Sequence, residues 1–236
     1  MRAIARTVTV LLVLGGALGR LAWADDYIDA LKKQVRSYEH VTTGSFAPMY
    51  EPLARQLVLD YQLKKGVAVE VGGSVSSFSI HLAKRTDMKV YSLDIDSAAM
   101  RLLGYLVDEA GMTGRVVPLE GDVQDMPFKD NFADFIFSRG SIPFWPDQAQ
   151  GLRECYRILK PGGVAYIGHG GFGRLLAKET RDKLVQWRLG WGKERKRPEG
   201  WRGPKEGMLE LARQAGIKDY CLIKEPSVGW WLEFRK

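Results

Sequence analysis

From Val67 onward the chain alternates short apolar runs with stretches whose apolar residues recur at helical spacing. The pattern predicts strands over 67–71, 89–94, 115–120, 133–138 and 163–168, with helices over 76–85, 97–110 and 147–159 between them. Runs this continuous suit a parallel sheet covered by helices on both faces. The punctuation agrees: Asp96-Ser97 suits a helix N-terminus, Gly111 its end, and Pro161-Gly162-Gly163 a turn. Upstream, Asp25 to Glu39 reads as one amphipathic helix with Ile28, Leu31, Val35 and Tyr38 on one side. A second helix runs from about Pro48 through Leu63, and Pro52 either kinks it or marks its start. Downstream, a helix over 206–214 leads into strands 219–225 and 229–235, joined by Glu225-Pro226-Ser227. The expectation is an α/β fold: a seven-stranded, mostly parallel sheet with helices on both faces and an antiparallel terminal strand pair.

Length and composition narrow this to one domain. At 236 residues, 45% hydrophobic and 27% charged, the chain matches neither a disordered nor a polytopic membrane protein. Three arginines, Arg2, Arg6 and Arg20, lie in an acid-free N-terminal segment, and without them the net charge falls from +7 to +4. Residues 1–24 have a basic start, an apolar stretch from Val8 to Leu18, and Ala22-Trp23-Ala24 before Asp25. They read as an export signal cleaved after Ala24, with an N-terminal anchor or an ordinary helix as alternatives. A used signal implies an exported protein, periplasmic or membrane-associated; an unused one implies a cytoplasmic protein. The domain then spans 25–236, with N-terminal helices over 25–66 and a basic, Trp-rich insertion over 174–205. Cys155 and Cys221 are too few for a disulfide framework or an all-Cys zinc site. Each reads as a small buried residue, and no metal site is expected.

The candidate chemistry lies at strand ends. Glu70 closes the first strand and Asp94 the second, with Gly72, Gly73, Ser74, Val75, Ser76 and Ser77 between them. A strand, loop, helix, strand unit of this kind brings backbone N–H groups and a helix N-terminus to a ligand, while the second acid suits ribose hydroxyls. After the third strand, the acid of Gly121-Asp122-Val123 suits an exocyclic amine and the next backbone N–H a ring nitrogen. The fourth strand exits into Ser138-Arg139-Gly140-Ser141 and then Phe144-Trp145-Pro146, polar groups followed by flat apolar surfaces.

In five motifs the chain resembles the class I S-adenosylmethionine-dependent methyltransferases, particularly the group that includes ubiquinone and menaquinone biosynthesis enzymes. The motifs are VEVGG at 69–73, LDID at 93–96, GDVQDMPF at 121–128, FADFIFSRGS at 132–141 and LRECYRILKPGG at 152–163. The resemblance implies a Rossmann-like fold with S-adenosylmethionine as cofactor. It implies that Glu70 and the loop Gly72, Gly73, Ser74 to Ser76 hold the methionine portion. Asp94 would bind the ribose, Ile95 would lie against adenine, and Asp122 and Val123 would take the adenine edge. Ser138, Arg139 and Gly140 would line the methyl region, with Tyr50 closing over it. The function implied is methyl transfer to a small-molecule acceptor. His169 is a weak candidate for a general base, and Arg139 for orienting an anionic acceptor.

Two features depart from the family pattern. Glycine is usual where Ser74 and Ser76 stand, and a Cβ there costs energy at positive φ or obstructs a ligand. An export signal would separate the protein from a cytosolic metabolite. Together they motivate an alternative: an exported, non-enzymatic binding protein on a methyltransferase scaffold. A nicotinamide-dependent dehydrogenase fits less well, because GGSVSS does not match its glycine motif. In the 174–205 segment Lys193, Arg195, Lys196, Arg197 and Arg202 stand among Trp187, Trp191 and Trp201. Peripheral membrane contact is compatible with this composition, but a lid over the acceptor site is preferred to nucleic-acid binding, since no recognised nucleic-acid motif accompanies the charges. The oligomeric state is not read from the sequence.

Overall fold

The computed structural model describes residues 22–191, 205–224 and 229–236. Residues 1–21 of the expected signal, the Glu225-Pro226-Ser227 connection, and Lys193, Arg195, Lys196, Arg197, Trp201 and Arg202 lie outside them. Three helices come first: α1 (Ala22–Gln34), α2 (Tyr38–Thr42) and α3 (Ala47–Asp60). The alternating region follows as β1 (Lys65–Val71), α4 (Phe78–Arg85), β2 (Asp87–Asp94), α5 (Ser97–Glu109), β3 (Val116–Glu120), β4 (Ala133–Arg139), α6 (Gln148–Ile158) and β5 (Leu159–His169). The chain then forms α7 (Lys178–Trp191), α8 (Lys205–Gln214), β6 (Asp219–Lys224) and β7 (Trp230–Arg235).

The seven strands make one sheet in the order β3-β2-β1-β4-β5-β7-β6. The first five are parallel, and β7 runs antiparallel to both β5 and β6. Alternation along the strands divides the core. Ala68, Val90, Phe135, Phe137 and Tyr166 face Leu53 of α3, Phe78 of α4 and Leu102 of α5. Val69, Ile136, Ala165 and Ile167 face Leu152 and Cys155 of α6 and Met208 of α8. The expected seven-stranded, helix-covered sheet with its antiparallel end is therefore the fold.

Four local expectations need correction. The helix expected over 25–39 breaks after Gln34. Val35 stays buried, and the Tyr38 N–H donates to the Val35 carbonyl at 2.9 Å, which turns the chain and aims Ser37 at the loop after β1. Pro52 neither starts its helix nor sits near its first residue; α3 begins at Ala47, with Pro48 at its first turn, where a missing N–H is tolerated. Pro161-Gly162-Gly163 does not precede β5 but lies within it: Gly162, at φ +81°, accommodates an irregularity while its N–H donates to the Lys236 carbonyl at 2.6 Å. Cys221 is exposed on the edge strand β6, unlike buried Cys155, and both thiols are free.

Helix ends follow local chemistry. Asp96 caps α5 by accepting from the N–H groups of Ala98 at 2.9 Å and Ala99 at 3.1 Å. Asp147 caps α6 through the Gln150 N–H at 2.9 Å. No helix among the described residues is long and apolar enough to cross a membrane.

Candidate cofactor and acceptor site

The strand order reverses between β1 and β4, so the connections leave these neighbours in opposite directions and open a crevice at their carboxyl ends. The loop after β1 enters that crevice tightly. Gly72 has φ +67°, and a Cβ there would lie 2.2 Å from the Ser141 Cβ. At Gly73 a Cβ would lie 2.6 Å from the Glu70 Cδ. Both glycines are thus fixed by the protein's own packing.

The two serines that replace expected glycines behave differently. Ser74 has φ +48°, in the left-handed region that costs a non-glycine residue about 1–2 kcal/mol. Its N–H donates to Asp94 Oδ2 at 2.8 Å, and its hydroxyl lies 2.8 Å from the Ser37 hydroxyl. Ser76 is not at positive φ. Its buried hydroxyl donates to Glu70 Oε1 at 2.8 Å and accepts from the Phe78 N–H at 3.5 Å, and α4 starts at Phe78 rather than at 76.

Glu70 sits beneath this loop, 2% exposed, paired in register with Ser92 of β2. The Ser92 hydroxyl donates to its Oε2 at 3.3 Å. Burial pushes the Glu70 carboxyl up to about 7, against the opposing effect of the serine hydrogen bonds. Ser92 was not singled out from the sequence; the signal was a polar residue in a mostly apolar strand, and the pairing register sets it directly opposite the buried acid.

Asp94 closes β2 with one backbone N–H on each oxygen, from Ser74 and from Asp96 at 3.0 Å. A carboxylate has about four lone-pair sites, so acceptor capacity remains for two hydroxyls. Burial raises its affinity for a proton. The next side chain, Ile95, is 72% exposed, an apolar surface held beside an acid at the crevice. Asp122 accepts from the Gln124 N–H at 2.9 Å, while Val123 is buried and no hydrogen bond among the described residues uses its N–H.

The loop carrying Asp122 and Val123 is locked from α6. Arg157 donates to both carboxylate oxygens of Glu154 at 2.7 Å, to the Phe128 carbonyl at 2.8 Å and to the Met126 carbonyl at 3.0 Å. Glu154 in turn accepts from the Met126 N–H at 2.9 Å. Sequence reading placed Glu154 and Arg157 in a motif without giving them a task. Their spacing of three puts both on one helix face, which was the available signal.

At the end of β4, Ser138 is buried and bonds through its hydroxyl to Ser141 at 2.6 Å; Ser141 donates to the Val71 carbonyl at 3.1 Å and accepts from Trp145 Nε1 at 3.1 Å. Trp145 is therefore core, whereas Phe144 is 63% exposed. Gly140 has φ +83°, and its N–H donates to the Gly168 carbonyl at 2.8 Å. Arg139 faces the α3 and α4 side. Its guanidinium carbon lies 4.3 Å from the Phe46 ring and 5.6 Å from that of Phe172, and Nε donates to the Gly171 carbonyl at 3.3 Å. Phe46 meets Trp187 of α7 edge-on at 4.9 Å. Aromatic and cationic groups from four separate segments, Phe46, Arg139, Phe172 and Trp187, thus gather at the end of β4.

Tyr50 of α3 is 3% exposed, with its ring centroid 6.1 Å from that of Phe78. Burial holds its phenol well above the usual range; the Arg139 charge opposes that and the Glu70 charge adds to it, which places the hydroxyl within electrostatic reach of both. None of the hydrogen bonds among the described residues uses that hydroxyl. His169 is elsewhere: at the last position of β5 it follows Ala165 and Ile167 on the other face of the sheet. No group of three or more His, Cys, Asp or Glu side chains placed to hold a metal occurs among the described residues.

Residues 69–167 match the family model described as a methyltransferase domain. The 2-methyl-6-phytyl-1,4-hydroquinone methyltransferase of Spinacia oleracea is 34% identical over 108 residues, 46% of this chain and 30% of that protein. The demethylmenaquinone methyltransferase of Lactiplantibacillus plantarum is 34% identical over 87 residues, 36% of this chain and 37% of that protein. The chain thus spans about a third of the length of these curated relatives. A solved structure from Methanococcus maripaludis, described as a candidate S-adenosyl-L-methionine-dependent methyltransferase, is 29% identical, covers 94% of this chain and 97% of its own, and superposes with a TM-score of 0.75. Motif order, sheet order and a structural relative of nearly full length agree: the chain has the fold of the class I S-adenosylmethionine-dependent methyltransferases, and its residues 69–167 match their methyltransferase domain.

Proposed function

We propose that the protein binds S-adenosylmethionine and transfers its methyl group to a small-molecule acceptor. The observation that carries the reading is Asp94: it ties down the loop after β1, keeps acceptor capacity for a diol, and stands next to the exposed Ile95 at the point where the strand order reverses. The residues present fit the cofactor. Gly72, Gly73, Ser74 and Ser76 would flank the methionine portion, with Glu70 acting from beneath through Ser76. Asp94 would accept from the ribose hydroxyls, and Ile95 would cover one face of the adenine. Asp122 and the Val123 N–H would read its edge.

Bound there, the cofactor supplies an electrophilic methyl on a sulfonium, which asks for in-line approach of a lone pair. The chain's own contribution is chiefly proximity and orientation. Ser138 fixes the end of β4 through Ser141, and Gly140 leaves the space beside it open. Arg139, held between Phe46 and Phe172, would orient an acceptor with anionic character. The Tyr50 hydroxyl would supply a hydrogen bond to the bound molecules. Helix α7, reaching Phe46 through Trp187, would act as the lid over the acceptor. The relatives named above act on hydroquinones and demethylmenaquinone, and a small, flat, apolar acceptor suits the same aromatic wall here. No observation favours the non-enzymatic alternative.

Calorimetric titration of the full chain with S-adenosylmethionine and S-adenosylhomocysteine tests the first half; binding of neither overturns the proposal. Transfer of a labelled methyl group to a hydroquinone, a carboxylic acid and an amine then separates acceptor classes.

A further inference from the structure

Ser37 lies in the break between α1 and α2, 37 residues before the loop it touches. Its hydroxyl is 2.8 Å from that of Ser74, the loop residue at φ +48°. On the opposite side the Ser74 N–H donates to Asp94 Oδ2 at 2.8 Å. Ser74 is therefore held from two directions, one of them by a segment outside the alternating region. The same segment is anchored nearby: Leu31 and Val35 are buried in the core that includes Met49 and Phe78, and α1 packs on α5, the helix capped by Asp96 just after Asp94. Glycine in place of Ser74 would reach the left-handed region more easily but would leave nothing for Ser37 to hold.

We propose that Ser37 is a positioning residue for the cofactor loop, and that through Ser74 it makes cofactor affinity depend on docking of the N-terminal helices. The proposal rests on the S-adenosylmethionine reading of the site. Serine at this loop position is then a coupling device: the hydroxyl that replaces a glycine hydrogen links the loop to α1 and α2. Because linkage is reciprocal, a ligand that fixes Ser74 also holds the N-terminal helices in place.

The test is a cycle of Ser37→Ala, Ser74→Gly and the double variant, with Ser37→Thr as the conservative control. Each is titrated with S-adenosylhomocysteine and followed by amide hydrogen exchange over residues 28–42, with and without that ligand. Ser37→Ala is expected to weaken binding about threefold to tenfold, the range of one hydrogen bond, and to speed exchange in α1 and α2. Ser37→Thr should restore both. In the Ser74→Gly background, Ser37→Ala should change neither, since the tether is already gone. Equal effects of Ser37→Ala in both backgrounds would overturn the proposal, as would unchanged affinity and exchange. If the wild type binds no cofactor, the proposed function fails, while exchange in wild type, Ser37→Ala and Ser74→Gly without ligand still decides whether the tether exists.

Discussion

The backbone N–H of Ser74 donates to Asp94 Oδ2 at 2.8 Å, so the loop after β1 and the acid at the end of β2 are one structural unit. An acid at this position has two tasks, anchoring the loop and accepting hydrogen bonds from a ligand. Asp94→Ala is expected to weaken S-adenosylhomocysteine binding at least about tenfold, since charged hydrogen bonds contribute roughly 1.5–3 kcal/mol. Asp94→Asn keeps one carbonyl oxygen for Ser74 and should lose less. Calorimetry ranks the two, and equal affinity in all three proteins would remove Asp94 from the site.

Replacing both loop serines by glycine does not simply restore a family-like loop, because the two have different tasks. Ser74→Gly relieves a left-handed residue, a gain of about 1 kcal/mol, offset by loss of the bond to Ser37. Ser76→Gly removes a buried donor to Glu70 and is expected to cost about 1–2 kcal/mol. Urea unfolding of the single variants should show Ser76→Gly as clearly the less stable. The opposite order would contradict these assignments.

Glu70 imposes a pH dependence of definite sign. Its ordinary value is 4.5, and burial raises the folded value to about 7. Between those values the folded state keeps a proton that the unfolded state has released, so stability falls as pH rises through the window and levels off above it. The full effect is about 3 kcal/mol at 1.36 kcal/mol per unit. Comparing unfolding of wild type and Glu70→Gln from pH 4 to 8 checks it; Glu70→Gln should lack this fall, and parallel curves would count against a buried, protonatable Glu70.

Glu154 and Arg157 hold the loop that carries Asp122 and Val123. Arg157→Ala leaves Glu154, only 8% exposed, without its bidentate partner. A loss of about 2–3 kcal/mol is expected, toward the lower end for buried pairs because Arg157 is partly solvated. Thermal unfolding measures this loss. Hydrogen exchange at residues 122–130 should rise in the same variant, and unchanged exchange there would show that the pair does not lock the loop.

Tyr50→Phe separates packing from recognition. The ring is buried, but its hydroxyl takes part in no hydrogen bond among the described residues. The change should leave unfolding within about 0.5 kcal/mol. Affinity for S-adenosylhomocysteine, or kcat with an identified acceptor, should fall if the hydroxyl meets the bound molecules. A large loss of stability with binding intact would instead make it structural.

The strand and helix sequence from Val67 to His169 was legible because apolar periodicity and caps such as Asp96 act locally. Legibility failed where one segment's conformation answers to another. The helix expected to run through Glu39 stops at Gln34 so that Val35 stays buried while Ser37 meets Ser74. Trp145, which looked like a substrate surface, is drawn into the core by its bond to Ser141 and its packing over Gly151. Cys221, apolar in its local pattern, is exposed because β6 ends up at the sheet edge.

The site divides the same way. The positions of Glu70, Asp94 and Asp122 at strand ends follow from the order of elements, since parallel strands joined by helices present their carboxyl ends together. The sequence thus determined an α/β sheet and which acids stand at the carboxyl ends of its strands. Only the tertiary structure decided that Ser76 serves Glu70 while Ser74 bridges Asp94 and Ser37, and that Arg139 lies between Phe46 and Phe172 with His169 on the other face. Periodicity fixes which face a residue takes, whereas hydrogen bonds between residues 20 or 37 positions apart depend on how the folded segments meet.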